Sequence, residues 1–185
     1  EKRIIEYFYD ISGNLIEEKR FDEYGEDYGT KFEYDFKNRK TKIINHSPFI
    51  WVKTKTGSRQ ERTKNGNDQI SREFKYDEKD RIIETKSYNP NFNDGNVAEL
   101  YRKEVTTYEN DLIKNIYSYD NKDSLTYYKT FEYDKLNRKT KEFSIYPKYP
   151  DNNISLEYFY NENKYPIKLL YLEKGITTQV DFEYV

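Results

Sequence analysis

Phe32-Glu33-Tyr34-Asp35-Phe36-Lys37-Asn38-Arg39-Lys40-Thr41-Lys42 returns almost unchanged as Phe131-Glu132-Tyr133-Asp134-Lys135-Leu136-Asn137-Arg138-Lys139-Thr140-Lys141. Aromatics two apart share one face of a strand, so Phe32 and Tyr34 point one way and Glu33 the other. Asp35 and Asp134 follow, with an Asn three residues on. Asp opens a type I turn because its carboxylate accepts hydrogen bonds from nearby backbone amides. Asn and Gly tolerate the positive φ that closes such a hairpin. The stretch therefore reads as strand, Asx-initiated turn, strand.

Weaker copies fill the rest of the chain. The aromatic-x-Tyr element recurs at Tyr7/Tyr9, Phe74/Tyr76, Tyr117/Tyr119, Tyr158/Tyr160 and Phe182/Tyr184, with Thr106/Tyr108 a degenerate copy. Asp follows as Asp10, Asp35, Asp77, Asp120 and Asp134, and Glu109 and Asn161 stand in its place twice. Three residues after each Asp lie Gly13, Asn38, Asp80, Asp123 and Asn137, all types that tolerate left-handed backbone. Only turn geometry demands that agreement. Successive anchor tyrosines fall 25, 42, 32, 11, 14, 27 and 24 residues apart, the 11 and 14 together making another 25. The recurring value marks a unit of one hairpin plus its return, and the long intervals mark insertions. Internal repeats of this period mean stacked units, none able to bury its apolar face alone.

The stretches Tyr9-Asp10-Ile11-Ser12-Gly13-Asn14-Leu15 and Tyr76-Asp77-Glu78-Lys79-Asp80-Arg81-Ile82 resemble the YD repeat of the RHS-repeat family, in which Tyr-Asp-x-x-Gly-Arg-Leu closes each hairpin. Here Asn or Asp mostly replaces the Gly. The resemblance covers most of the chain at low stringency. It implies consecutive antiparallel hairpins, export to the cell surface or periplasm, and kinship with spiralling β-shells that enclose a cargo.

Composition points the same way. Ile, Leu, Val and Phe make up 41 of 185 residues, a level close to that of disordered chains, but 21 Tyr change the balance. Tyr buries a large ring and keeps its hydroxyl wet, which suits a thin sheet. A single Ala argues against helix. The expected fold is all-β: one domain over 1–185 of roughly 12 to 16 strands, taking about 25 residues per pair. It should form a strongly twisted, curled sheet or open barrel. Insertions are expected at about 45–72 and 89–98.

Net charge is −2 with 36% charged residues, both signs interleaved, which argues against a nucleic-acid partner. No stretch is apolar enough to span a membrane. Without cysteine there is no disulfide or thiol chemistry. The chain opens at Glu1 and has no Met, so a segment ahead of it, either a secretion signal or a cloning boundary, is expected to have been removed. His46, the one histidine, leaves no Ser-His-Asp or Cys-His arrangement. Phosphate loops, dinucleotide fingerprints and zincin motifs do not occur. No cofactor and no metal are expected; the loop Asn89 to Asn96 has amides where a calcium loop has acids, and reads as a plain turn.

The first insertion carries the candidate site. Phe49, Ile50, Trp51 and Val52 read as a strand buried on both sides. Gly57, Ser58 and Asn65 to Asp68 are turn signals, and Thr56 to Asp68 reads as a mobile tip. The plain reading is an extra hairpin with a solvated basic tip. The sharper one is a binding finger of Trp51, Lys53, Lys55, Arg59, Arg62 and Lys64. Function is expected to be non-catalytic: an exported module that binds a glycan or a surface protein through an aromatic-rich sheet. The rivals are a polysaccharide hydrolase using a carboxylate pair inside the curl, and a fragment of an RHS-like shell. The chain would be a monomer or part of a larger assembly.

Overall fold

In the computed structural model, residues 4–22, 25–89 and 98–183 are described, though side chains at 22, 26, 27, 50–53, 58–60 and 62–66 are not. The strands are β1 (Ile4–Tyr9), β2 (Leu15–Asp22), β3 (Gly25–Tyr34), β4 (Lys40–Thr54), β5 (Gly57–Tyr76), β6 (Ile82–Asn89), β7 (Glu99–Glu109), β8 (Leu112–Tyr119), β9 (Leu125–Tyr133), β10 (Lys139–Ile145), β11 (Ile154–Tyr160), β12 (Pro166–Glu173) and β13 (Ile176–Asp181). Thirteen strands fall inside the expected number. The helical content among the described residues is one 3-10 turn, Pro150–Asn152.

The chain divides into two compact units, Glu1–Arg102 and Lys103–Val185. In each, strands pair antiparallel with their neighbours in sequence, β1 through β6 in the first and β7 through β13 in the second. Neither ladder closes: β1 is paired by β2 alone and β13 by β12 alone. The fold is an open antiparallel meander, as the hairpin repeat requires.

The turns obey the residue code. Gly13, Asn38, Asp80, Asp123 and Asn137 have φ of 82°, 60°, 62°, 58° and 61°. Lys164 holds the same slot at φ 68°, three residues after Asn161. Its side chain carries no left-handed signal, so the sequence pattern passes over it. Two further connections are two-residue hairpins, with Asn110 and Asp111 at φ 50° and 66°, and Lys174 and Gly175 at 50° and 77°. Positive φ at both central positions is the geometry that keeps right-twisted strands in register.

Phase differs from the simple count of copies. In a meander, the turns after alternate strands lie at the same end. The turns after β7, β9 and β11 therefore share one end of the second unit, and the Asp120 turn after β8 lies at the other. Tyr108, the degenerate copy, is in phase with Tyr133 and Tyr160; Tyr119, the better match, is not.

The interior is small. Among the described residues, the buried apolar ones are Pro48, Ala98 and Phe131, the last two each 8% exposed. Ser47, Gln69, Ser118, Glu142 and Ser144 are buried as well. Gly29 marks the closest strand approach, since a Cβ there would lie 2.9 Å from the Glu18 carbonyl oxygen.

Candidate functional site

The row of Asx turns is the most strongly organised part of the molecule. In the Asp134 turn, the backbone closes with Asn137 N–H to the Asp134 carbonyl (3.0 Å) and Asp134 N–H to the Arg138 carbonyl (3.0 Å). The Asp134 Oδ1 accepts from the amides of Leu136 (2.8 Å) and Arg138 (3.0 Å), and Oδ2 accepts from Arg138 Nε (2.6 Å). The Asp35 and Asp77 turns repeat this pattern with Arg39 and Arg81. Asp10 does so with Asn14 in the arginine's place. The Arg39 guanidinium holds the Asp35 carboxyl below its ordinary range, and that of Arg81 does so for Asp77. Partial burial works to raise Asp134, but the amide and guanidinium of Arg138 outweigh it and the net shift is downward.

At four of the turns, the tyrosine ahead of the turn ties one hairpin to the next. Tyr34 donates its hydroxyl to the Leu15 carbonyl (2.8 Å), Tyr76 to Lys40 (2.7 Å), Tyr133 to Ile113 (2.9 Å) and Tyr160 to Lys139 (2.7 Å). Each accepting residue is the strand partner of the preceding anchor: Leu15 pairs with Tyr9, Lys40 with Tyr34, Ile113 with Tyr108 and Lys139 with Tyr133. Burial pushes all four phenols above their ordinary pKa. Arginine covers two of these rings, Arg39 at 4.7 Å from the Tyr76 centroid and Arg138 at 4.7 Å from that of Tyr160. Such stacking contributes about 0.5–1 kcal/mol where the cation stays partly wet.

Successive turns also touch. Asn14 Nδ2 donates to Asn38 Oδ1 (3.0 Å), and Arg39 Nη1 (2.5 Å) and Lys37 Nζ (3.0 Å) both reach Asp80 Oδ1. Between the β7/β8 and β9/β10 turns, the two-residue connection leaves no room for an arginine. A hollow of about 340 Å³ opens there, lined by Glu109, Asn110, Leu112, Asp134 and Asn137 among others.

Two further clusters lie away from the turns. Glu142 is buried and accepts from Lys129 (2.8 Å) and Lys139 (2.7 Å), whose ammonium also lies 4.6 Å from the Tyr158 ring centroid. Desolvation works to raise Glu142, and the two ammonium groups more than offset it. At the far end of the second unit, a groove of about 700 Å³ has Phe143, Ile145, Ile154 and Leu172 in its walls, with Asp151 and Lys174 also lining it. Among the described residues, no three His, Cys, Asp or Glu side chains come together to hold a metal.

The first insertion is one long hairpin, β4 against β5, with its tip at Lys55–Thr56. Gly57 to Asp68, expected as a mobile tip, is strand; Asn67 pairs with Ser47 and Asp68 with His46. Cross-strand pairing overrides the local turn signals. They survive as an irregularity: register shifts between Ser47 and Phe49, where Pro48 faces four residues of β5. Lys55 is exposed at the tip. The side chains of Trp51, Lys53, Arg59, Arg62 and Lys64 lie outside the described residues, so the candidate finger is placed by its backbone alone. At the hairpin's root, Asp68 joins His46 Nδ1 (2.6 Å) and Lys31 Nζ (2.6 Å), contacts the sequence did not signal. The calcium-like stretch also falls outside the described residues, apart from Asn89 at the end of β6.

No family model matches the chain, and no curated protein matches it. Solved structures do. One is described as the crystal structure of TcdB2-TccC3-TEV, at 13% identity and TM-score 0.50, covering 96% of this chain and 10% of that one. Another is TcdB2-TccC3 without its hypervariable C-terminal region, at 13% identity and TM-score 0.51, covering 96% of this chain and 9% of that one. The likeness is one of fold, an RHS-like β-hairpin architecture. The chain spans about a tenth of the length of these neighbours.

Proposed function

We propose that this chain is a section of the wall of an RHS-like β-shell, a structural and non-catalytic part of a larger assembly. One observation carries the reading. Among the described residues, large apolar side chains stay in solvent along the strands, among them Ile4, Ile5, Tyr7, Tyr101, Ile176 and Val180. Exposure of that kind, with Pro48, Ala98 and Phe131 the buried apolar residues among those described, is what a wall shows when its neighbours are missing. The neighbours in fold support it, since the chain aligns almost whole with a small part of a far longer one. Export stands with the same reading; among the described residues no helix is long and apolar enough to cross a membrane.

Part of the motive for the ligand-binding alternative is taken up by the fold itself. Tyr density suggested a face for stacking on sugars, but four anchor tyrosines spend their hydroxyls on the carbonyls of adjacent strands. Sedimentation velocity with a hydrophobic dye tests the assembly reading. The isolated chain should bind the dye in its folded state and associate as concentration rises. A solitary monomer that leaves the dye dark at all concentrations would contradict it.

A further inference from the structure

Tyr9 stands in the anchor position of the first Asx turn, yet among the described residues β1 has no strand on its outer side. Its counterparts Tyr34, Tyr76, Tyr133 and Tyr160 are half-buried and donate to a carbonyl on the strand before them. Tyr9 is 60% exposed, and among the described residues its hydroxyl has no partner. All six residues of β1 are exposed, and Glu6 is its one charge. A largely apolar edge with a single charge is a template for pairing, and natural sheets blunt or cover such edges.

We infer that the outer edge of β1 is a docking edge for a hairpin of this same repeat type, whose returning strand pairs antiparallel with β1 and presents a carbonyl to Tyr9. The inference rests on the wall reading above and names the partner at one edge. The internal staples supply its chemistry, because each is the same joint already made. The accepted carbonyl belongs to the residue five after the turn Asp at Leu15, Lys40 and Lys139. An arginine just ahead of it covers the tyrosine ring in two of the four joints. The partner's pairing strand therefore follows a turn of the same kind, with an arginine ahead of the accepting carbonyl as in the joints of Tyr76 and Tyr160.

The chain's own β9–β10 hairpin serves as the probe. Residues 125–153 are joined directly ahead of Arg3 in the full chain, which sets Tyr9 six residues past the junction, as Tyr160 lies six past Ile154. Tyr9→Phe is then made in both the parent and the extended chain. The extended chain should melt in one transition several degrees above the parent, and Tyr9→Phe should lower its Tm while leaving the parent's unchanged. A separate transition for the added hairpin, or the same response to Tyr9→Phe in both chains, overturns the inference. So does a parent that dimerises through β1 and stops dimerising when extended, which would make a second copy the occupant. A parent that proves a self-sufficient monomer refutes the wall reading alone and leaves this comparison readable.

Discussion

Tyr9-Asp10 and Tyr133-Asp134 are the same device in two settings. Both aspartates accept from the amides two and four residues on, and both turns place a left-handed residue three positions after the Asp. Yet Tyr133 is half-buried and bonded to the Ile113 carbonyl, while Tyr9 is mostly in solvent. The turn is a local property, written in five residues. Burial is not: a hairpin of this type acquires it from the strand beside it. The molecule is therefore built of units that each know how to turn but depend on a neighbour to pack, as expected of repeat arrays.

The largest expected effect is one the two settings share. Hydrogen bonds to the charged form hold the carboxyls of Asp10, Asp35, Asp77, Asp120 and Asp134 below their ordinary pKa. A carboxyl depressed in the folded state contributes stability above its unfolded value, about 3.9, and loses it as pH falls through the folded one. The chain should thus lose Tm steeply below about pH 4. Replacing Asp10 or Asp134 by Asn should weaken that pH dependence to a similar extent, as followed by circular dichroism melts. A clear difference between the two would break the claim that the turns are locally autonomous.

Truncating the tyrosines should separate the settings. Tyr133→Ala removes a half-buried ring and its hydrogen bond, and should cost about 2–3 kcal/mol in a urea melt. Tyr9→Ala should cost less than about 0.5 kcal/mol, as exposed substitutions do. Equal costs would mean that the neighbour contributes nothing. A smaller effect belongs to the left-handed slot. Asn137→Val should cost about 1–2 kcal/mol and Asn137→Gly close to nothing. Lys164→Gly should stabilise by about 0.5–1 kcal/mol, since a lysine there carries the same strain with no local compensation. A Gly variant at Lys164 less stable than the parent would show that the slot is not strained.

Much of this architecture was legible because the turn code is local. Asp, the left-handed slot and the alternating aromatics needed nothing beyond a few neighbouring residues. What escaped depended on distant pairing. Tyr119 looks like a full copy but turns at the opposite end, and Tyr108 looks degenerate but lies in phase, because phase is set by counting strands. Asn65-Gly66-Asn67-Asp68 reads as a turn until β4 pairs with it. Lys164 has a positive φ that no side-chain type announces. The candidate site was legible only as composition: the basic residues of the first insertion mark a hairpin, and the tyrosine joints found instead depend on which carbonyl lies opposite.

Native-state amide hydrogen exchange on the dilute monomeric chain tests the dependence on neighbours most directly, by comparing β1 with β9. The two strands carry the same aromatic-x-Tyr ending and the same kind of turn, and differ in whether both edges are paired. The β9 amides should exchange slowly along the whole strand, while β1 should be protected only where it faces β2 and exchange close to the free-chain rate elsewhere. Uniform protection of β1 equal to that of β9, in a chain shown to be monomeric, would contradict that dependence.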